Sequence, residues 1–126
     1  MGYNTIFHID DDQDDIDFFA STVNQLSKAA SCFSFTDAAL ALQKLIMGEM
    51  IPDVIFLDLN MPIINGQEFL VKLKATKLLR DIPVIILSTS SDSYTKAELK
   101  ADGALDFLTK PSGLKELENL LRPYII

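Results

Sequence analysis

The stretch Val54-Ile-Phe-Leu-Asp58-Leu-Asn-Met-Pro62-Ile-Ile-Asn-Gly66 decides the fold. Its first four residues are all apolar. A run this short, followed by Pro62 and Gly66, is typical of a strand buried on both faces of a parallel sheet. Asp58 comes where that strand ends and a loop begins. Ligands of open parallel sheets bind beyond the carboxyl ends of the strands, so Asp58 is a candidate nucleophile or metal ligand. From this stretch alone, a structural role for Asp58, in which its side chain caps the following turn, is equally consistent with the sequence.

The remainder of the chain alternates strand and helix patterns. Apolar or alternating runs predict further strands at residues 5–9, 32–35, 83–87 and 105–109. Apolar residues at helical spacing predict a helix after every strand. These helices begin after Asp12 and at Asp37, cover 67–75 and 93–101, and carry a last apolar face at 114, 117, 121 and 124. The second is expected to bury Ile46 and to end at Gly48. The fourth has a weak apolar face of Tyr94, Ala97 and Ala101.

Five strand–helix repeats predict an α/β fold with one parallel sheet and right-handed crossovers. At 126 residues, an open, three-layer, doubly wound (βα)5 sheet of the flavodoxin-like type fits as a single domain over 1–126. A closed eight-stranded barrel needs about twice that length. In the strand order 2-1-3-4-5, the switch point lies between strands 1 and 3. Asp10 and Asp11 follow strand 1, so they are expected to converge with Asp58.

Composition excludes several classes of partner. The net charge of −7 and the pI of about 4.5 disfavour binding to nucleic acid or to an anionic membrane. Cys32 is the only cysteine, which predicts no internal disulfide and a reducing compartment. No apolar run has the length of a membrane span, and the first residues carry no signal-peptide pattern. We therefore expect a cytoplasmic protein.

The convergent side chains suit phosphoryl transfer. Clustered carboxylates stay ionised when a cation is near, and hard oxygen ligands favour Mg²⁺, with Mn²⁺ as the alternative. Lys110 ends the fifth strand and adds a positive charge, and Ser88 ends the fourth strand and adds a hydroxyl. With Asp58 as the nucleophile, this set of groups would form an aspartyl phosphate.

On these residues the chain resembles the receiver domain of two-component response regulators, the CheY-like family. The resemblance covers essentially the whole chain. It rests on the acidic pair Asp10-Asp11, on Asp58-Leu-Asn-Met-Pro62 with Asn65-Gly66, on Ser88, and on Lys110-Pro111. Each motif alone is weak evidence for the family. Their order along the chain, with each motif at the end of a predicted strand, is specific to it.

The resemblance implies a role for each residue of the site. Asp58 would accept a phosphoryl group from the phosphohistidine of a sensor histidine kinase or histidine phosphotransfer domain. Asp11 and Asp58 would bind Mg²⁺ directly, Asn60 through its backbone carbonyl and Asp10 through a water. Lys110 would pair with the phosphoryl group. In the family the bond before the matching proline is usually cis, which is carried over to Lys110–Pro111.

The resemblance also implies a switch. Ser88 would move towards the phosphoryl group, and Phe107 would turn inward. This would alter an output surface formed by the fourth helix, fifth strand and fifth helix, which includes residues near Lys96, Lys100, Asp106 and Lys115. Phe107 lacks the hydroxyl of the tyrosine common at this position. Asn60 and Ser90 lie where side chains influence hydrolysis, and both are uncharged, which predicts an intermediate phosphoryl lifetime. Structural roles fall to Pro62, Gly66 and Pro111.

The functional expectation is a stand-alone signalling module, not a metabolic enzyme, because the chain ends soon after its last helix. Its downstream protein target is unknown. Three alternatives remain. A flavin-binding electron carrier needs a phosphate loop without the aspartates found here. An aspartate-nucleophile phosphatase typically has a second aspartate where Asn60 stands. A degenerate receiver would bind partners without phosphorylation.

Other polar residues have structural interpretations. Asp14, Asp15 and Asp17 are expected to be solvated residues near the start of the first helix. His8, the only histidine, is expected at a core or pleat position of strand 1, which argues against a role as phosphodonor. Cys32 is expected to be a small core residue.

Overall fold

Strands and helices alternate strictly along the chain. The structure is a computed structural model that describes residues 2–59, 66–88, 93–111 and 113–125, with only the backbone of 93–95. In chain order, the elements are β1 (Thr5–Ile9), α1 (Gln13–Leu26), β2 (Ser31–Phe35), α2 (Ala38–Ile46), β3 (Val54–Asp58), α3 (Gly66–Ala75), β4 (Val84–Ser88), α4 (Ser93–Ala101), β5 (Asp106–Thr109) and α5 (Leu114–Ile125).

The five strands form one parallel sheet in the order β2-β1-β3-β4-β5. The predicted α/β class, topology and strand order are therefore confirmed. Ile9 of β1 pairs with Leu57 of β3, and Asp58 pairs with Leu87 of β4. This register brings the carboxyl ends of the three central strands to one edge of the sheet.

The sheet has a hydrophobic core on each face, because successive strand residues point to opposite sides. Phe7, Ile55 and Leu57 face the side covered by α2, α3 and α4. Ile6 and Phe56 face the side covered by α1 and α5. All five residues of β3 and of β4 are buried, which explains why both strands are apolar until their last residue.

The two aspartates predicted to begin helices both cap them. Asp12 accepts the backbone N–H of Asp14 at 2.9 Å, and Asp37 accepts the N–H groups of Ala39 and Leu40. These bonds satisfy donors that the first helical turn leaves without partners. The cap at Asp12 fixes where α1 begins after the acidic residues that follow β1.

Several predicted core positions are wrong. Ile46 and Leu114 are about half exposed, and Ala97 and Ala101 are exposed as well. The side chain of Tyr94, the third predicted core position of α4, lies outside the described residues. Of the α4 side chains that the structure describes, 96–101, the buried one is Leu99, which packs in the core with Ala104 and Phe107. A leucine buries much more apolar surface than an alanine, so α4 turns the Leu99 side towards the sheet.

None of the helices described here is long and apolar enough to cross a membrane.

Candidate functional site

Three carboxylates meet at the carboxyl edge of the sheet. One oxygen from each of Asp10, Asp11 and Asp58 lies within 4.8 Å of the others. Asp10 is 1% exposed and Asp58 6%, whereas Asp11 is exposed to solvent. The strand order thus brings together the three acids that the sequence predicted would converge.

Asp10 is fixed by the turn that leads from β1 into α1. Its backbone N–H donates to the Phe35 carbonyl, and its Oδ1 accepts the Asp12 N–H, both at 3.0 Å. Burial raises the pKa of the Asp10 carboxyl, although the Asp12 N–H and Lys110 both favour its ionised form. The position of this carboxylate is therefore set by the backbone, and its charge depends on a nearby cation.

Lys110 supplies that cation. Its Nζ lies 2.9 Å from Asp10 Oδ2, 2.9 Å from Asp15 Oδ2 and 3.5 Å from Asp58 Oδ1. Partial burial alone would lower the pKa of the ammonium group. Hydrogen bonds to Asp15 and Asp10, with the charges of Asp58 and Asp10, outweigh burial and raise it. Lys110 is therefore a permanent positive charge in the site.

The expected cis bond before Pro111 is wrong. Among the described residues the structure has no cis peptide bond, so Lys110–Pro111 is trans. The trans form is the intrinsically preferred one for a bond before proline. The backbone N–H of Lys110 also donates to the Ser88 carbonyl at 2.7 Å. With the backbone in this conformation, the ammonium group reaches the carboxylates.

Asp15 is a site residue that the sequence analysis missed. It was expected to be solvated, but its half-exposed side chain binds Lys110. With Asp12 as the cap, Asp15 is the third residue of α1, a position whose side chain can reach back past the start of the helix. This position in the helix could have indicated a role for Asp15 in the site. It does not, however, show which carboxylate of the first turn pairs with Lys110.

Ser88 and Phe107 lie on β4 and β5, the two strands that follow β3 in the sheet. Ser88 is fully buried at the end of β4, beside Thr109 in the sheet register. Phe107 is 7% exposed and lies inward, the orientation that the resemblance assigns to the phosphorylated state. The Lys96 Nζ lies 5.4 Å from the centre of its ring, within range of a cation–π interaction.

Gly66 lies against the backbone that carries Asp58. A Cβ at Gly66 would be 2.6 Å from the Asp58 carbonyl oxygen and 2.8 Å from the Leu59 Cα. The Gly66 N–H donates to the Leu59 carbonyl at 2.9 Å. No other residue type fits without moving the end of β3. The predicted contributions of Asn60, Pro62 and Ser90 lie outside the described residues.

His8 lies behind the cluster, in the core position that was predicted. Its ring stacks on Phe19, with centroids 3.9 Å apart. Burial is the main reason that the pKa of His8 falls to about 3, so the imidazole is neutral. Its Nδ1 is the one buried side-chain nitrogen or oxygen in the described part of the chain that lacks a hydrogen-bond partner. His8, Asp10, Phe19 and Lys110 are among the residues that line a cavity of about 30 Å³, which has room for a water molecule.

The profile of the response regulator receiver domain matches residues 6–122. The chain belongs to that family. A protein-glutamate methylesterase/protein-glutamine glutaminase of Treponema denticola is 40% identical over an alignment of 106 residues, and the match covers 79% of this chain and 27% of that protein. The chain therefore spans about a quarter of that relative's length.

Solved structures show the same receiver fold. The chemotaxis protein CheY4 of Vibrio cholerae is 25% identical, with a TM-score of 0.82 and 98% of each chain covered. The Mn²⁺-bound form of the response regulator Rcp1 is 26% identical, with a TM-score of 0.78, covering 95% of this chain and 90% of that one. This receiver domain is thus a signalling module by family and fold.

The acidic cluster of the receiver domain has the chemistry of a divalent-cation site. All three candidate ligands, Asp10, Asp11 and Asp58, are carboxylates, and such hard oxygen donors suit Mg²⁺ or Mn²⁺. Exposed Asp11 leaves the cluster open to solvent, as Mg²⁺ requires because it keeps several of its waters. The donor set present therefore fits the predicted metal.

Proposed function

We propose that this receiver domain, spanning residues 1–126, accepts a phosphoryl group on Asp58 in a Mg²⁺-dependent reaction. The donor is the phosphohistidine of a sensor histidine kinase or of a histidine phosphotransfer domain. One observation carries the proposal: Asp58 stands at the end of a central strand, within one acidic cluster and 3.5 Å from the Lys110 ammonium. A nucleophilic carboxylate, a metal-binding set and a fixed cation are the groups that phosphoryl transfer requires.

In the proposed reaction, an Asp58 carboxylate oxygen attacks phosphorus and forms the P–O bond of an acyl phosphate. The P–N bond of the donor breaks, and the departing imidazole nitrogen takes a proton from solvent. Lys110 balances the charge of the phosphoryl oxygens. Bound Mg²⁺, held by Asp11, Asp58, the Asn60 carbonyl and, through a water, Asp10, would supply further positive charge to those oxygens. The Mn²⁺-bound form of Rcp1, which shares this fold, supports the binding of a divalent metal by this domain.

The output of the proposed reaction is a change in the surface around α4, β5 and α5, which an unidentified downstream protein would recognise. The Ser88 hydroxyl would bind a phosphoryl oxygen, and Phe107 would couple that movement to α4. Phe107 packs with Leu99 of α4 in the same core, and Lys96 of α4 lies over its ring. The chain then acts as a phosphorylation-dependent binding partner rather than as a metabolic enzyme.

Intact-mass spectrometry after incubation with acetyl phosphate and Mg²⁺ tests the proposal. The parent protein should gain the mass of one phosphoryl group, and neither Asp58→Asn nor a chelator-treated sample should gain it. Asp17→Asn removes the same charge from the outer face of α1 and should behave as the parent. If the parent gains no mass and also fails to bind beryllofluoride, a stable mimic of the phosphoryl group, the proposal is wrong.

A further inference from the structure

Lys110 is shared unequally among its acidic partners. Its Nζ lies 2.9 Å from both Asp10 and Asp15, but 3.5 Å from Asp58. Asp10 and Asp58 belong to strand ends, whereas Asp15 reaches the lysine from α1. The ammonium group is therefore held on the side of the site that faces α1, away from the proposed acceptor.

The two close partners differ in how much they need the lysine. Asp10 is almost fully buried, so its charge requires a nearby cation. The Asp15 side chain is 42% exposed, so water can solvate its carboxylate without Lys110. Removing the charge of Asp15 would consequently free the lysine without leaving a buried carboxylate unpaired. Asp15 does not need Lys110 in order to stay charged, yet it accepts a hydrogen bond from one of the three N–H donors of the lysine.

We propose that Asp15 is a positioning residue that retains Lys110 on the α1 side of the site and thereby slows phosphorylation of Asp58. The inference rests on the proposed function and adds a restraint to it. As the phosphoryl group arrives on Asp58, Lys110 moves towards a phosphoryl oxygen and gives up its 2.9 Å hydrogen bond to Asp15. That exchange is part of the energetic cost of reaching the transition state, since the charge on the transferred oxygens is stabilised by positioned cations.

Asp15 also stands in the first turn of α1, where any carboxylate favours the helix. Asp14 shares that turn and is exposed, but it has no described contact with Lys110. Asp14→Asn therefore removes the same charge from the same turn and leaves the lysine held. Asp15→Glu keeps both the charge and the ability to reach Lys110.

The experiment measures the rate of phosphorylation by acetyl phosphate at saturating Mg²⁺, with intact mass recorded on quenched samples. In this reaction Asp58 forms the new P–O bond, the P–O bond to the acetyl group breaks, and acetate leaves. Asp15→Asn should react about two- to fivefold faster than the parent, which is the ratio that corresponds to the free energy of a part-exposed ion pair. Asp14→Asn and Asp15→Glu should react at the parent rate. Equal rates for Asp15→Asn and Asp14→Asn would overturn the inference.

A crystal structure of Asp15→Asn provides a readout that does not depend on phosphorylation. The distance from the Lys110 Nζ to Asp58 should fall below 3.5 Å, and an unchanged lysine position would contradict the inference. The two failures can be distinguished. A parent protein that takes up no phosphoryl group refutes the proposed function, whereas a reactive parent with an unmoved lysine in Asp15→Asn refutes the role of Asp15 alone.

Discussion

Lys110 lies among more carboxylates than one ammonium group can neutralise. It contacts Asp10, Asp15 and Asp58, and Asp11 lies in the same cluster. Burial raises the pKa of Asp10 and, alone, would lower that of Lys110. Burial therefore disfavours the ionised form of each group, and the opposite charge of the other group favours it. The excess negative charge of this cluster lowers the stability of the fold, and a bound cation of the kind that the proposed function requires would offset it.

The neutral His8 gives the first prediction. Its pKa is about 3 in the folded protein and about 6.5 in the unfolded chain. Above pH 6.5 it is neutral in both states. As the pH falls below 6.5, the unfolded chain binds a proton that the folded protein does not, so the free energy of unfolding decreases. Between about pH 7.5 and pH 5 this contribution amounts to roughly 2 kcal/mol.

Urea unfolding of the parent and of His8→Phe across that range tests this prediction. The parent should lose stability more steeply on acidification, because the phenyl ring keeps the stacking on Phe19 without a titrating group. Parallel pH profiles for the two proteins would show that His8 is not held neutral by the fold.

At the scale of elements, the site depends on how β3 turns into α3. Gly66→Ala should lower the free energy of unfolding by about 1–3 kcal/mol, because its Cβ meets the backbone of Asp58 and Leu59 and one of them must shift. The same shift should slow acetyl phosphate labelling of Asp58. Both effects can be measured on one preparation, by urea unfolding and by intact mass.

Gly48→Ala is the matched control. Gly48 has a positive φ of 72° after α2, but a Cβ there meets nothing within 4 Å. Alanine should cost about 1 kcal/mol of backbone strain and leave labelling unchanged. A Gly66→Ala protein that labels at the parent rate would contradict the claim that close packing at Gly66 positions Asp58.

Elements also show what the sequence could and could not predict. The strands β3 and β4 were predictable because burial on both faces requires an unbroken apolar run, and the aspartate after that run could then be placed at a strand end. The face of α4 was not predictable from the spacing of Tyr94, Ala97 and Ala101, because the two alanines bury little apolar surface compared with Leu99. The partner of Asp15 depends on how α1 packs on the sheet, which no local pattern in the sequence specifies.

At the scale of the whole molecule, binding of Mg²⁺ should stabilise the fold. A ligand at ten times its dissociation constant adds about 1.4 kcal/mol, which corresponds to a rise in Tm of about 5 °C for a domain of this size. Asp11→Asn should lose most of this rise. Without metal it should melt slightly above the parent, since one of three repelling carboxylates is gone.

Thermal melts with and without Mg²⁺ provide the measurement. Asp17→Asn, which removes the same charge from an exposed position of α1, should keep the full rise in Tm. If Asp11→Asn retains it as well, Asp11 does not bind the metal.

Chemical trapping of the acyl phosphate identifies which aspartate carries the phosphoryl group. Borohydride reduces an acyl phosphate to an alcohol and so converts the modified aspartate into homoserine. After treatment with acetyl phosphate and Mg²⁺, tandem mass spectrometry of the reduced protein should find homoserine at position 58 and at no other aspartate. Homoserine at position 10, 11 or 15, or none in a protein that had gained the mass of a phosphoryl group, would contradict the account.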